Sequence, residues 1–369
     1  MEDGPKDAGS GRVVSIDALR GFDMFWIIGG GLLFQRLLQV GQHPAAAALE
    51  KQLHHVDWAG FHFEDLIFPL FVFLLGAVMP FSLSRRLERG QSVLRVHLHV
   101  LKRAAALILL GLIFNEVQRF DWPNMRWPGV LQRIGLCYFF AALLVIHTKW
   151  RTQAIVVAVV LLAYWAVTML VPAPGFEAGD LTPEGSLSSS IDRQLIPGVL
   201  YYGHGDNEGL LSTLPAICTA LLGALAGQWL RSDRPGSRKA AGLALAGVAC
   251  VVAGYLWGFV FPIIKILWTS SFVLFAGGWS LLLLALFYWI IDVLGFKRWA
   301  FFFIVIGMNP ITIYFLQRFV NFGDIAEFFL SGTAAHAGAY AAVVLSFGAL
   351  MIRWLLLWFL YRHKIFFKV

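Results

Sequence analysis

Between His54 and Asp65 the string HHVDWAGFHFED gathers three histidines and three carboxylates within twelve residues. Histidine is the side chain best suited to moving protons near neutral pH, and a carboxylate partner can fix its tautomer. Two chemistries compete for this string: a metal site, or a general base with its orienting acid. A metal needs convergent ligands, and the spacing of seven between His55 and His62 would put them in register two helical turns apart. His55, however, lies ahead of the expected helix start, which weakens that register. With that register doubtful no metal is expected, and the residues alone do not single out one histidine and one carboxylate.

Other polar groups interrupt otherwise apolar sequence, where an ionisable side chain is costly enough to suggest function. Asp17, Arg20 and Asp23 recur every third residue, so a helix stacks the arginine between two carboxylates. This is either a structural ion pair or a ligand contact. Further along, the turn Pro128-Gly129 precedes Gln132 and Arg133 inside an apolar run. The arginine must find an anion or carbonyl groups there: Asp65 or Glu208 from the chain, or a substrate phosphate or carboxylate. Glu208, Lys265, Trp268 and Asn309 complete the candidate binding residues. Gly29 to Gly31 fit close helix packing, a kink, or the near approach of a thin ligand. No P-loop, dinucleotide fingerprint, Gly-x-Ser-x-Gly or His-Glu-x-x-His motif occurs.

The elements that must position these groups are membrane helices. Hydrophobic residues make up 59% of the 369, and charged residues only 14%, too few to coat a soluble protein of this size. The expected fold is all-α and polytopic, with about ten transmembrane helices of roughly 20 residues. They fall near 15–38, 62–84, 98–117, 130–147, 152–171, 211–230, 239–260, 268–293, 299–321 and 338–361. Residues 15–361 thus read as one membrane domain. A tail precedes it over 1–14, another follows over 362–369, and the longer outer loops cover about 39–61 and 172–210.

Basic residues gather on the cytoplasmic side of a membrane. Nineteen fall in one alternating set of connections, from Lys6 and Arg12 through Arg103 and Arg238 to Lys368. Five fall in the other: Lys51, Arg119, Arg126, Arg193 and Lys265. Both termini are accordingly expected in the cytoplasm. The net charge of +7 then marks topology, with no nucleic acid required. On this topology His55, Asp65, Arg133, Glu208 and Lys265 collect toward the outer half, opposite Asp17 and Arg20. Cys137, Cys218 and Cys250 all lie in apolar runs, against a disulfide framework or a thiolate metal site.

The ordered motifs resemble the heparan-alpha-glucosaminide N-acetyltransferase family. They are Ser15-Ile-Asp17-Ala-Leu-Arg20-Gly21, His55-x-x-Trp58-x-Gly60, Asp65-Leu-Ile-Phe-Pro69 with Phe71-Val-Phe, Arg126-Trp-Pro128-Gly129-Val-Leu-Gln132-Arg133-Ile-Gly135, Glu208-Gly209 and Gly307-Met308-Asn309-Pro310. The likeness runs from about residue 12 to the C-terminus and corresponds to a bacterial-type member made of the catalytic membrane core. It implies acetyl transfer from cytoplasmic acetyl-CoA, a co-substrate, to an amino sugar or related glycan on the outer face of the bacterial inner membrane. His55 matches the family's active-site histidine, and Asp65 falls on the acid of the same motif. Lysosomal members imply a homodimer. One departure concerns the acetyl site: their asparagine before the glycine run is Ile27 here.

The residues suit this chemistry. A neutral histidine can deprotonate an amine ahead of thioester attack, or can itself take the acyl group. The rival reading is a transporter or flippase of a polar lipid or sugar. It would call for paired broken helices, for which Gly29 to Gly31 and Asn309-Pro310 are the only hints.

Overall fold

The computed structural model describes residues 13–41 and 43–367. Lys6 and Arg12 of the expected N-terminal tail, and Lys368 of the C-terminal one, lie outside the described residues. In chain order, α1 (Val14–Phe25) passes through a π-helical segment (Trp26–Gly30) into α2 (Gly31–Val40). The short α3 (Pro44–Lys51) precedes α4 (Glu64–Met79), whose helix continues irregularly to Glu88. There follow α5 (Val93–Phe114), α6 (Val130–His147), α7 (Trp150–Leu170) and the nine-residue α8 (Leu187–Leu195). Next come α9 (Thr213–Arg231), α10 (Gly236–Trp257), α11 (Ser270–Tyr288), α12 (Phe301–Gly307) and α13 (Pro310–Leu316). The last are α14 (Phe322–His336) and α15 (Ala341–Arg362). Among the described residues there is no strand, only two isolated bridges, Ala59 with Ile264 and Arg126 with Gly198.

The fold is all-α and multi-pass. With their flanking turns, α4 to α7, α9 to α11 and α15 make eight helices long and apolar enough to cross a membrane. They lie within a few residues of the expected spans, because a lipid-embedded backbone has to satisfy its own polar groups. The two remaining expected spans, near 15–38 and 299–321, are each broken into two half-helices. In the first, Ile28 leaves helical geometry and Gly29 takes φ +117°, which side-chain-bearing residues rarely adopt. In the second, Asn309 leaves the helix at φ −133°, ψ 50°, and Pro310, which has no N–H, starts a new one. The sequence reading also missed α14, too short to count as a span, and placed α3 and α8 in loops.

The two broken elements pack together through glycines. A Cβ at Gly21 would lie 1.7 Å from the Phe303 carbonyl oxygen, and one at Gly307 would lie 2.2 Å from that of Asp17. Small residues let membrane helices approach this closely, and dispersion contacts then hold them. Gly21→Ala is accordingly expected to force α1 from α12 at a cost of about 1–3 kcal/mol. A thermal melt in detergent checks this; an unchanged midpoint would show that the contact is dispensable.

Candidate active site

Asp65 opens α4 and is 1% exposed. The segment before it folds back over this helix end. Backbone N–H groups of His62 and Val56 donate to Asp65 Oδ2 at 3.0 and 3.3 Å. Gln52 accepts from Glu64 N at 3.0 Å and from Phe63 N at 3.2 Å. The segment is pinned from outside as well: Gly60 N donates to Ile263 O at 2.9 Å, and Trp58 Nε1 to Leu181 O at 2.8 Å. Held in this way, His55 presents Nδ1 2.9 Å from Asp65 Oδ1, with its side chain 53% exposed. An ionised Asp65 can only accept, so in the neutral imidazole Nδ1 carries the proton and Nε2 the lone pair.

Lys265 comes from the connection between α10 and α11. Its Nζ lies 3.1 Å from His55 Nδ1, 3.4 Å from His55 Nε2 and 3.4 Å from Asp65 Oδ1. Burial pushes the Lys265 ammonium below the usual lysine range, opposed by the nearby Asp65 carboxylate. Trp268, almost fully buried and in the left-handed region at φ 52°, donates from Nε1 to Thr219 Oγ1 at 3.0 Å.

Glu208 reaches the site through an ionic network. Arg126 donates to both oxygens of Asp206, at 2.8 and 2.6 Å, and also to Glu208 Oε2. Asp192 of α8 braces the same turn by accepting from Leu210 N at 2.9 Å and Asp206 N at 3.4 Å. Burial raises the Glu208 carboxyl above its ordinary range against the pull of Arg133 and Arg126. At Asp206 burial acts in the same direction, but the Arg126 hydrogen bonds outweigh it and hold that carboxyl low. Asp192 is raised to about 6, chiefly by burial.

His55, Glu64, Glu208, Lys265 and Trp268 line one cavity of about 210 Å³, together with Ile27, Asn207 and Tyr314. A second cavity of about 30 Å³ shares Ile27, Phe68, Val130 and Tyr314 with the first. A third, of about 60 Å³, shares Phe71, Ile134, Pro310 and Ile311 with the second and reaches Arg20 and Arg103. From Glu64 to Val78 the three descend α4, about 21 Å at 1.5 Å per residue. Both broken elements contribute walls, at Ile27 and at Pro310.

Several candidates sit elsewhere. Arg133 does not line the cavity and has no carboxylate partner among the described residues: its Nη2 donates to Gly209 O at 3.1 Å and to the Ser212 hydroxyl, and its guanidinium lies 5.1 Å from the Trp268 ring centre. Gln132 donates to Trp127 O at 3.1 Å and props the turn before α6. Asn309 ties the C-terminal segment to the break, donating to Ile365 O at 3.0 Å and accepting from Phe367 N at 3.1 Å. Arg20 donates to Asp17 Oδ1 and to Gly307 O, each at 2.7 Å, at the far end of the cavities. It does not bridge to Asp23, contrary to the helical stacking argument, because the Gly307 carbonyl takes its second donor. The neighbouring histidines diverge, His54 Nε2 to Glu50 at 2.7 Å and His62 Nδ1 to His54 O at 2.8 Å. Among the described residues no group of three or more His, Cys, Asp or Glu could hold a metal ion. The sequence reading passed over Glu64 in favour of its neighbour, and nothing local distinguished Asn207 or Tyr314.

A family described as a domain of unknown function (DUF5009) matches residues 12–179. The human heparan-alpha-glucosaminide N-acetyltransferase is 28% identical over 375 residues, covering 85% of this chain and 55% of its own length. The mouse protein of the same name is 27% identical over 373 residues, covering 85% and 56%. The chain thus spans about half the length of these curated relatives. Its residues 12–179 are thus similar to DUF5009, and most of its own length is similar to heparan-alpha-glucosaminide N-acetyltransferases.

Proposed function

We propose that this chain is a membrane acetyltransferase that moves acetyl from acetyl-CoA to an amino sugar or related glycan. One observation carries the reading: a His55–Asp65 pair faces a cavity followed along α4 by two smaller ones that share walls in turn, the last lined by Arg20 and Arg103. The donor enters from the Arg103 end, where guanidinium groups suit phosphates. The narrow apolar cavities admit only a thin chain such as the pantetheine arm, which brings the thioester to His55. The acceptor meets it in the wider cavity, whose walls include Glu64, Asn207 and Glu208. Lys265, beside the histidine, stabilises the oxyanion that forms when the thioester carbonyl is attacked. The excess of basic residues in one set of connections supports cytoplasmic termini and an outward-facing acceptor site.

A second reading has one observation in its favour. The paired broken elements at Gly29 and Asn309 are what a transporter of polar lipids or sugars would display. Purified protein given acetyl-CoA and a panel of hexosamines and cell-wall fragments is expected to yield acetylated sugar by mass spectrometry. Substrate counterflow in proteoliposomes with no acetyl donor, and no acetylated product, would overturn the enzyme in favour of the transporter.

A further inference from the structure

Acetyl transfer to an amine moves two protons, and His55 with Asp65 accounts for one. An amino-sugar acceptor arrives as an ammonium and must lose a proton before its lone pair can attack the thioester carbonyl. As the C–N bond forms and the C–S bond breaks, nitrogen loses a second proton. His55 Nε2 can take that one and return it to the departing thiolate as the thiol. The first proton has no place in this cycle and must leave the site.

Glu64 and Asp23 stand where such an acceptor is needed. Glu64 lines the same cavity as His55, and its Oε2 is buried with no hydrogen-bond partner among the described residues. Asp23 is 0% exposed, and neither of its oxygens has a partner among them either. It lies one helical turn before Ile27, which forms part of the cavity wall. The element that carries Asp23 also passes Glu64, for a Cβ at Gly31 would lie 3.9 Å from Glu64 Oε2. From α15, Arg353 Nη1 would lie 3.0 Å from a Cβ at Gly29, in the same broken element as Asp23. A structural ion pair does not explain Asp23, because Arg20 is turned to Asp17 and Gly307.

We propose that Glu64, with Asp23 behind it, is the second proton acceptor of this site. It takes the proton that the acceptor's ammonium must lose before attack and releases it to solvent through the cavity mouth after the product leaves. Glu64 is then a catalytic residue and Asp23 a positioning residue. The proposal rests on the acetyltransferase reading.

The test compares two acceptors, glucosamine, an ammonium near neutral pH, and methoxyamine, a free base there. In Glu64→Gln, transfer to glucosamine is expected to fall about 100-fold near neutral pH and to recover as rising pH frees the amine. Transfer to methoxyamine is expected to fall at least tenfold less than transfer to glucosamine. Asp23→Asn is expected to lose less and to shift the pH profile for glucosamine alone. An unchanged thermal midpoint in both variants confirms folding. Equal losses on both acceptors in Glu64→Gln, or none, overturn the proposal while leaving the enzyme reading intact. A parent protein inactive toward both amines overturns that reading and this one together.

Discussion

His55→Ala is expected to lower acetyl transfer at neutral pH by about 10²–10⁴-fold, the range attached to losing a positioned proton acceptor. The fold should tolerate the change. His55 is half exposed and its one strong partner, Asp65, keeps its two backbone donors from Val56 and His62. A melting midpoint near that of the parent, with product formation read by mass spectrometry, checks both parts. Full activity in this variant would remove His55 from the chemistry. A single-turnover experiment with labelled acetyl-CoA and no acceptor separates its two possible roles. Label retained on the parent but not on the variant marks an acyl-histidine intermediate; label on neither marks a general base.

Asp65→Asn should do nearly as much damage while changing almost no volume. Asp65 Oδ2 faces two N–H donors and Oδ1 faces His55 Nδ1. In an asparagine the oxygen stays with the two backbone donors, which leaves the amide N–H groups directed at Nδ1. The imidazole must then accept at Nδ1 and carry its proton on Nε2, the wrong tautomer for a base. Lys265 also loses the carboxylate 3.4 Å from its ammonium, so a charge already disfavoured by burial has less to hold it. Expected is again a loss of about 10²–10⁴-fold, seen in the turnover number more than in the KM for either substrate. A variant that kept the parent's turnover would show that tautomer control is not Asp65's role.

These two residues were visible in the sequence for a local reason. They sit ten positions apart at the start of a strongly apolar helix, and an acid there is conspicuous because lipid tolerates so few. Glu64 shows where that logic stops. It occupies the next position and looks the same in the sequence, yet it faces the cavity while Asp65 is turned to the backbone donors of its own connection. Arg133 shows a choice the sequence left open: a buried arginine needs an anion or carbonyl groups, and a carbonyl, a hydroxyl and an indole face hold it.

The sequence by itself determined the eight continuous helices, the all-α class and the His55–Asp65 pairing. Each is imposed within a short stretch, by the need of a lipid-embedded backbone to bond to itself or by the reach of a ten-residue loop. Tertiary structure alone decided that the helices break near Gly29 and at Asn309, that both Asp23 oxygens and Glu64 Oε2 are buried with no hydrogen-bond partner among the described residues, and that three cavities share walls in turn. Those features depend on which helices become neighbours. The cavity walls come from positions as far apart as Arg20, Phe71, Ile134 and Ile311, and no local pattern of polarity encodes the space left between them.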